Sequence, residues 1–150
     1  MTKETLKEVI DFAIDREKEA VEFYQYLQKK VKFKNQKNML NDLEKMEEGH
    51  ILILKNLLKG DFLNLKLKEI QDLKISDYLV EKELQEDMDY QDILIVAMKR
   101  EESSLKLYND LATEIDEADT KKLFLKLSEE EAKHKLQFET LYDEYVLKEN

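Results

Sequence analysis

Two histidines occur in the chain, and each follows a glutamate by three residues: Glu47-Glu48-Gly49-His50 and Glu131-Ala132-Lys133-His134. On a helix, residues i and i+3 project from nearly the same side, so each Glu-x-x-His offers one carboxylate and one imidazole together. A hard carboxylate beside a neutral imidazole suits iron, manganese or zinc. The motif is short, and a glutamate-rich chain also produces it by chance.

A repeat lifts it above chance. Glu17 and Glu101, Glu47 and Glu131, and His50 and His134 all stand 84 positions apart. The same offset relates Tyr24 to Tyr108, Ala13 to Ala97, Leu27 to Leu111 and Leu57 to Leu141. A period this long marks a duplicated helical hairpin and not a solenoid. Three pairs of polar residues that break an apolar pattern have no reason to share one offset unless they serve one symmetric site.

The elements that must position these residues are four amphipathic helices. Thr5-Leu6-Lys7-Glu8 reads as a capping box opening the first. Its apolar stripe runs through Val9, Ile10, Ala13, Ile14, Ala20, Val21, Tyr24 and Leu27, and Glu17 interrupts it. That helix is expected to fade near Phe33, with Asn35 capping the second. The second stripe holds Met39, Leu40, Leu43, Met46, Leu54, Leu57 and Leu58, with Glu47 and His50 on the same side. Gly49, inside this helix, costs about 1 kcal/mol relative to alanine, and a close approach of another helix is the favoured reason for it. Gly60 is expected to stop the helix.

Residues 61–88 lose the helical period, apart from a short helix expected to be capped by Ser76. A connection of this length fits a crossover that returns the chain to the starting end of a bundle. Asp89 is the expected cap of the third helix, whose stripe of Ile93, Leu94, Ala97, Met98, Leu105, Tyr108, Leu111 and Ile115 is interrupted by Glu101. Asp119 is the expected cap of the fourth, which carries Leu123, Phe124, Leu127, Phe138, Leu141 and Tyr145 on one face with Glu131 and His134. Hairpins 5–60 and 89–144 joined by the crossover make one all-α domain spanning residues 1–150, a four-helix bundle with pseudo-twofold symmetry. Four carboxylates converging in its core must be neutralised, and two divalent cations balance them.

Composition narrows the function. The formal net charge is −10 and the basic residues are scattered, which disfavours nucleic acid and anionic membranes as partners. The absence of cysteine excludes disulfides, a thiol nucleophile and thiolate-held iron within the chain. No apolar run approaches membrane-spanning length, and the N-terminal residues mix charge with hydrophobes, so a soluble cytoplasmic protein is expected.

With Glu17-x-x-Ala20-x-x-x-Tyr24, Glu47-x-x-His50, Glu101-x-x-Ser104-x-x-x-Tyr108 and Glu131-x-x-His134, the whole chain resembles the ferritin-like di-iron carboxylate proteins, and among them the rubrerythrin-like branch. The resemblance implies two iron ions per chain (manganese or zinc being alternatives), bridged by Glu47 and Glu131. Glu17 and Glu101 would be terminal carboxylates, and His50 and His134 would each hold one metal. Tyr24 and Tyr108 would stand close by as hydrogen-bonding or radical-quenching groups, and a homodimer is implied. Rubrerythrins carry a further glutamate where this chain has Ser104, and a cysteine-ligated rubredoxin module that this chain lacks. The expected function is reduction of hydrogen peroxide or dioxygen at a dinuclear iron site. Peroxidase turnover would then need an external electron-donor protein. The competing expectation is a non-catalytic protein of iron storage, delivery or sensing.

Overall fold

A computed structural model of the chain describes residues 3–59, 75–79 and 88–149. It is all-α over these residues apart from short connections. Four long helices follow in order: α1 (Lys3–Lys30), α2 (Lys34–Lys59), α3 (Tyr90–Glu114) and α4 (Ala118–Glu149). A 3₁₀ turn, Ile75–Tyr78, precedes α3. With no proline in the chain, nothing removes a donor from a helix interior, and long uninterrupted helices result.

The helices pair in two compact units, one within residues 1–71 and the other within 72–150. In the first, α1 packs on α2 across the three-residue connection 31–33; such short links make antiparallel neighbours. Leu6, Val9, Ile10, Ala13, Ile14, Phe23, Tyr24 and Leu27 of α1 are buried, as are Leu40, Leu43 and Leu54 of α2. Glu44 fastens the pair from its polar flank, accepting from the amides of Gln28 at 2.9 Å and Gln25 at 3.2 Å. In the second unit α3 packs on α4, burying Ile93, Leu94, Val96, Ala97, Leu107, Tyr108 and Leu111 against a set that includes Phe124, Leu127, Phe138 and Leu141. Ser128 donates its hydroxyl to the Leu105 carbonyl at 2.9 Å.

Helix ends differ from the sequence expectation at several points. The α1 helix begins at Lys3, so Thr5 lies inside it; the Lys-Glu pair ahead of Thr5 favours helix well enough to extend the first turn. It ends at Lys30, before Phe33. At the start of α2 the Phe33 carbonyl accepts from the amides of Gln36 and Lys37, which puts Asn35 in the first turn. The Asp89 cap is as read: its carboxylate accepts from the Asp92 amide at 2.9 Å. For α4 the cap is Glu117 and not Asp119. The Glu117 carboxylate accepts from the Thr120 amide at 2.7 Å, the Thr120 hydroxyl at 2.6 Å and the Asp119 amide at 3.1 Å. These bonds, with the Thr120 hydroxyl first, hold the Glu117 carboxyl below the ordinary carboxylate range.

Two further expectations change. Met46 is 38% exposed and lies outside the core. A Cβ on Gly49 would meet nothing within 4 Å, so no neighbouring backbone approaches there and the cost of the glycine is simply tolerated. The Gly60 stop and most of the crossover fall outside the described residues. Within the part that is described, Ser76 sits inside the 3₁₀ turn and does not cap a helix. That turn docks on α3, where the Tyr78 hydroxyl donates to Asp110 at 2.6 Å and the Ser103 hydroxyl donates to the Tyr78 carbonyl. Burial, reinforced by the bond to Asp110, pushes the Tyr78 phenol well above its usual range.

Candidate metal centre

Each hairpin gathers a triad from its own two helices. Glu17 sits midway along α1, inside the stripe that also buries Ala13, Ile14 and Tyr24. Glutamate is a good helix former, so the backbone does not resist it there. Opposite, Glu47 and His50 lie one turn apart on α2. His50 Nδ1 is 3.1 Å from Glu17 Oε2 and 3.8 Å from Glu47 Oε2. The second hairpin repeats the arrangement with Glu101 on α3 and Glu131 and His134 on α4. There His134 Nδ1 stands 3.6 Å from Glu101 Oε2 and 4.0 Å from Glu131 Oε2.

In each triad the three potential ligand atoms lie within 4.8 Å of one another. The six residues are among the most buried in the chain, with relative exposures of 0–2%. Carboxylates at this depth are rare unless something offsets their charge. Two carboxylates carry more negative charge than a single imidazole can balance, so a buried triad of this composition is suited to a cation.

A divalent cation meets that need, and the donor set fits one. Metal–oxygen and metal–nitrogen bonds to such ions run about 2.0–2.2 Å, so two donors up to roughly 4.2 Å apart can share an ion. The imidazole–carboxylate separations of 3.1–4.0 Å fall inside that limit. Carboxylate and imidazole donors without sulfur are suited to iron, manganese or zinc.

Tyr24 and Tyr108, seven residues after Glu17 and Glu101, are both buried, at 2% and 1% exposure. The Tyr24 ring meets Phe23 edge-on at 6.0 Å, and the Tyr108 ring stacks on Phe124 at 6.2 Å. Packing therefore holds both phenols on the buried faces that carry the glutamates. Arg16, which precedes Glu17, is half-buried against Phe12. It lies on the flank of the stripe and so does not interrupt the apolar period.

Comparison with known proteins agrees with this architecture. A model described as rubrerythrin matches residues 1–58 and 92–150, which include all six triad residues and omit the crossover. A hypothetical protein from Pyrococcus furiosus with a solved structure is 28% identical and superimposes with a TM-score of 0.72. That match covers 92% of this chain and 88% of the other. No curated protein matches the chain. Among the described residues, no helix is long and apolar enough to cross a membrane.

Proposed function

The chain belongs to the rubrerythrin family and has its ferritin-like four-helix-bundle fold class; from that premise we propose that it is a dinuclear non-haem iron oxidoreductase reducing hydrogen peroxide or dioxygen. The observation that carries the reading is the pair of buried Glu-Glu-His triads, each built within one hairpin and related by the 84-residue repeat. In this proposal the two triads serve one centre in a single domain. Glu17, Glu47 and His50 supply half of its ligands, and Glu101, Glu131 and His134 supply the rest.

Bound iron would supply the change between Fe(II) and Fe(III) that delivers electrons to the oxidant. The protein's part is positional. Burial of the six side chains keeps bulk water from competing for the metal and strengthens each charge–charge contact. Glu17, Glu47, Glu101 and Glu131 would hold the two metals through their carboxylates. His50 and His134 each present Nδ1 toward the carboxylates of their own hairpin, which is the atom assigned to bind. Tyr24 and Tyr108 are assigned as nearby phenols, able to donate a hydrogen bond or to quench a stray radical.

The 150 residues contain no cysteine and so hold no thiolate-bound iron; in this proposal the electrons for repeated peroxide reduction come from a separate electron-donor protein. A homodimer is part of the reading, and sedimentation velocity would register it. Stopped-flow oxidation of the Fe(II)-loaded protein tests the function. Oxidation by peroxide much faster than by dioxygen supports the peroxidase, and the reverse order supports a ferroxidase. Indifference to both oxidants would leave iron storage or delivery and end the enzymatic reading.

A further inference from the structure

Basic residues are scattered along the chain with one exception, the turn that joins α1 to α2. Residues 23–41 hold five lysines (Lys29, Lys30, Lys32, Lys34 and Lys37) and no acid, in a chain of net charge −10. All five are exposed, and Phe33 stands among them at 53% exposure. The 84-residue offset carries this stretch onto residues 107–125, around the turn that joins α3 to α4. There the sign is reversed: Asp110, Glu114, Asp116, Glu117 and Asp119 outweigh Lys121 and Lys122. Matched positions show the inversion directly, Lys30 against Glu114 and Lys32 against Asp116. The repeat keeps the six triad residues and inverts the charge of the turns.

Local helix physics accounts for neither turn. A helix dipole favours anions at its N-terminus and cations at its C-terminus. Lys29 and Lys30 at the end of α1 obey that rule, but Lys34 and Lys37 open α2, whose first turn holds no acid. Glu114 closes α3, whose last turn holds no basic residue. Among the described residues, Lys29, Lys32, Lys34 and Lys37 form no ion pair, so the basic turn is not neutralised within its own chain. A charge held against its own helix end is offset when an opposite charge meets it from outside. Net charge of −10 repels extended polyanions such as nucleic acid, whereas a second copy brings an acidic turn of matching size.

We propose that the basic turn of one copy, residues 29–37, docks on the acidic turn of a second copy, residues 114–119. Each copy carries one turn of either sign, so a pair related by a twofold makes the contact twice. The charges select this orientation, because the alternatives set like turn against like. Phe33 supplies an apolar anchor at the centre of the basic turn. The proposal rests on the homodimer included in the reading above and names the surface that joins it.

Sedimentation velocity of the full chain tests this with two charge reversals. One combines Lys32→Glu, Lys34→Glu and Lys37→Glu, which make the first turn net negative. The other combines Glu114→Lys and Asp116→Lys, which make the second net positive. Substitution at Lys34, Lys37 and Glu114 puts the favoured sign at each helix end, so both variants are expected to stay folded by circular dichroism. Each alone is expected to weaken self-association by about tenfold or more, because turns of like sign then face one another. Mixed in equal amounts, the two are expected to recover association to within about threefold of the parent, since positive again meets negative at both contacts. Should a variant not fold, the parent still decides: its dimer is expected to weaken about tenfold between roughly 0.05 and 0.5 M salt. Folded variants that dimerise like the parent, a mixture that stays monomeric, or a parental dimer indifferent to salt each overturn the proposal and leave the homodimer standing. A parent that is monomeric at every concentration overturns the homodimer as well, a separate result.

Discussion

The two hairpins carry one constellation in two settings. In α1–α2 the imidazole closes to hydrogen-bond distance of the first-helix glutamate, 3.1 Å, while in α3–α4 the equivalent separation is 3.6 Å. The second helix of the first hairpin starts on the Phe33 carbonyl, and that of the second starts on the Glu117 carboxylate. Gly49 in the first hairpin corresponds to Lys133 in the second, and the 3₁₀ turn docks on α3. Three polar positions and the apolar stripe around them are kept; caps, glycine content and attachments are not. The duplicated part is the part that would hold metal, which is what a symmetric centre requires and what a merely structural bundle does not.

Experiments on matched positions can break or sharpen this comparison. The largest effect belongs to the core. Leu27→Ala and its mate Leu111→Ala each remove a side chain that is 0% exposed, and each is expected to cost about 2–5 kcal/mol in urea denaturation. A loss confined to one of them would show that the hairpins are not equivalent in packing.

Metal should come next. Mn(II) at about 100 times its Kd is expected to stabilise the fold by roughly 2.7 kcal/mol per independent site. For a chain of this size that corresponds to a rise in Tm of about 5–10 °C. A Tm indifferent to iron, manganese and zinc would count against both triads at once.

Gly49→Ala is smaller. Open space at the Cβ position and a helical backbone predict a gain of about 1 kcal/mol, read as a higher urea midpoint with an unchanged slope. The smallest effect is pH-dependent and confined to the second hairpin. The Glu117 carboxyl is held below its ordinary range in the folded protein, so its contribution is present above the unfolded value. It is lost as pH falls through the lowered folded one. Glu117→Gln should therefore destabilise at neutral pH, and its difference from the parent should vanish in acid. The Phe33 carbonyl that opens α2 does not titrate, so the start of that helix should show no such pH dependence.

Much of this architecture was legible in the sequence because helix periodicity is a strong local signal. Glu17 and Glu101 betrayed their burial by falling inside an apolar stripe, and the shared offset tied them to the two Glu-x-x-His pairs. Asp89 was legible as a cap because its helix begins directly after it. Asp119 misled because an aspartate in the first turn and one at the cap look alike, and Glu117 won by collecting three donors at once. Gly49 misled because a glycine that is merely tolerated cannot be told from one that packs closely. The clasp of Tyr78 on Asp110 links residues 32 positions apart and leaves no periodic trace.

The central claim is that two buried acid–imidazole triads hold two metal ions. Anaerobic Fe(II) titration of the metal-free protein tests it most directly, alongside His50→Ala and His134→Ala. The account predicts saturation at about two Fe(II) per chain in the parent, as for di-metal carboxylate bundles, and about one in each variant. A parent that takes up no Fe(II), or histidine variants that both still bind two, would contradict it.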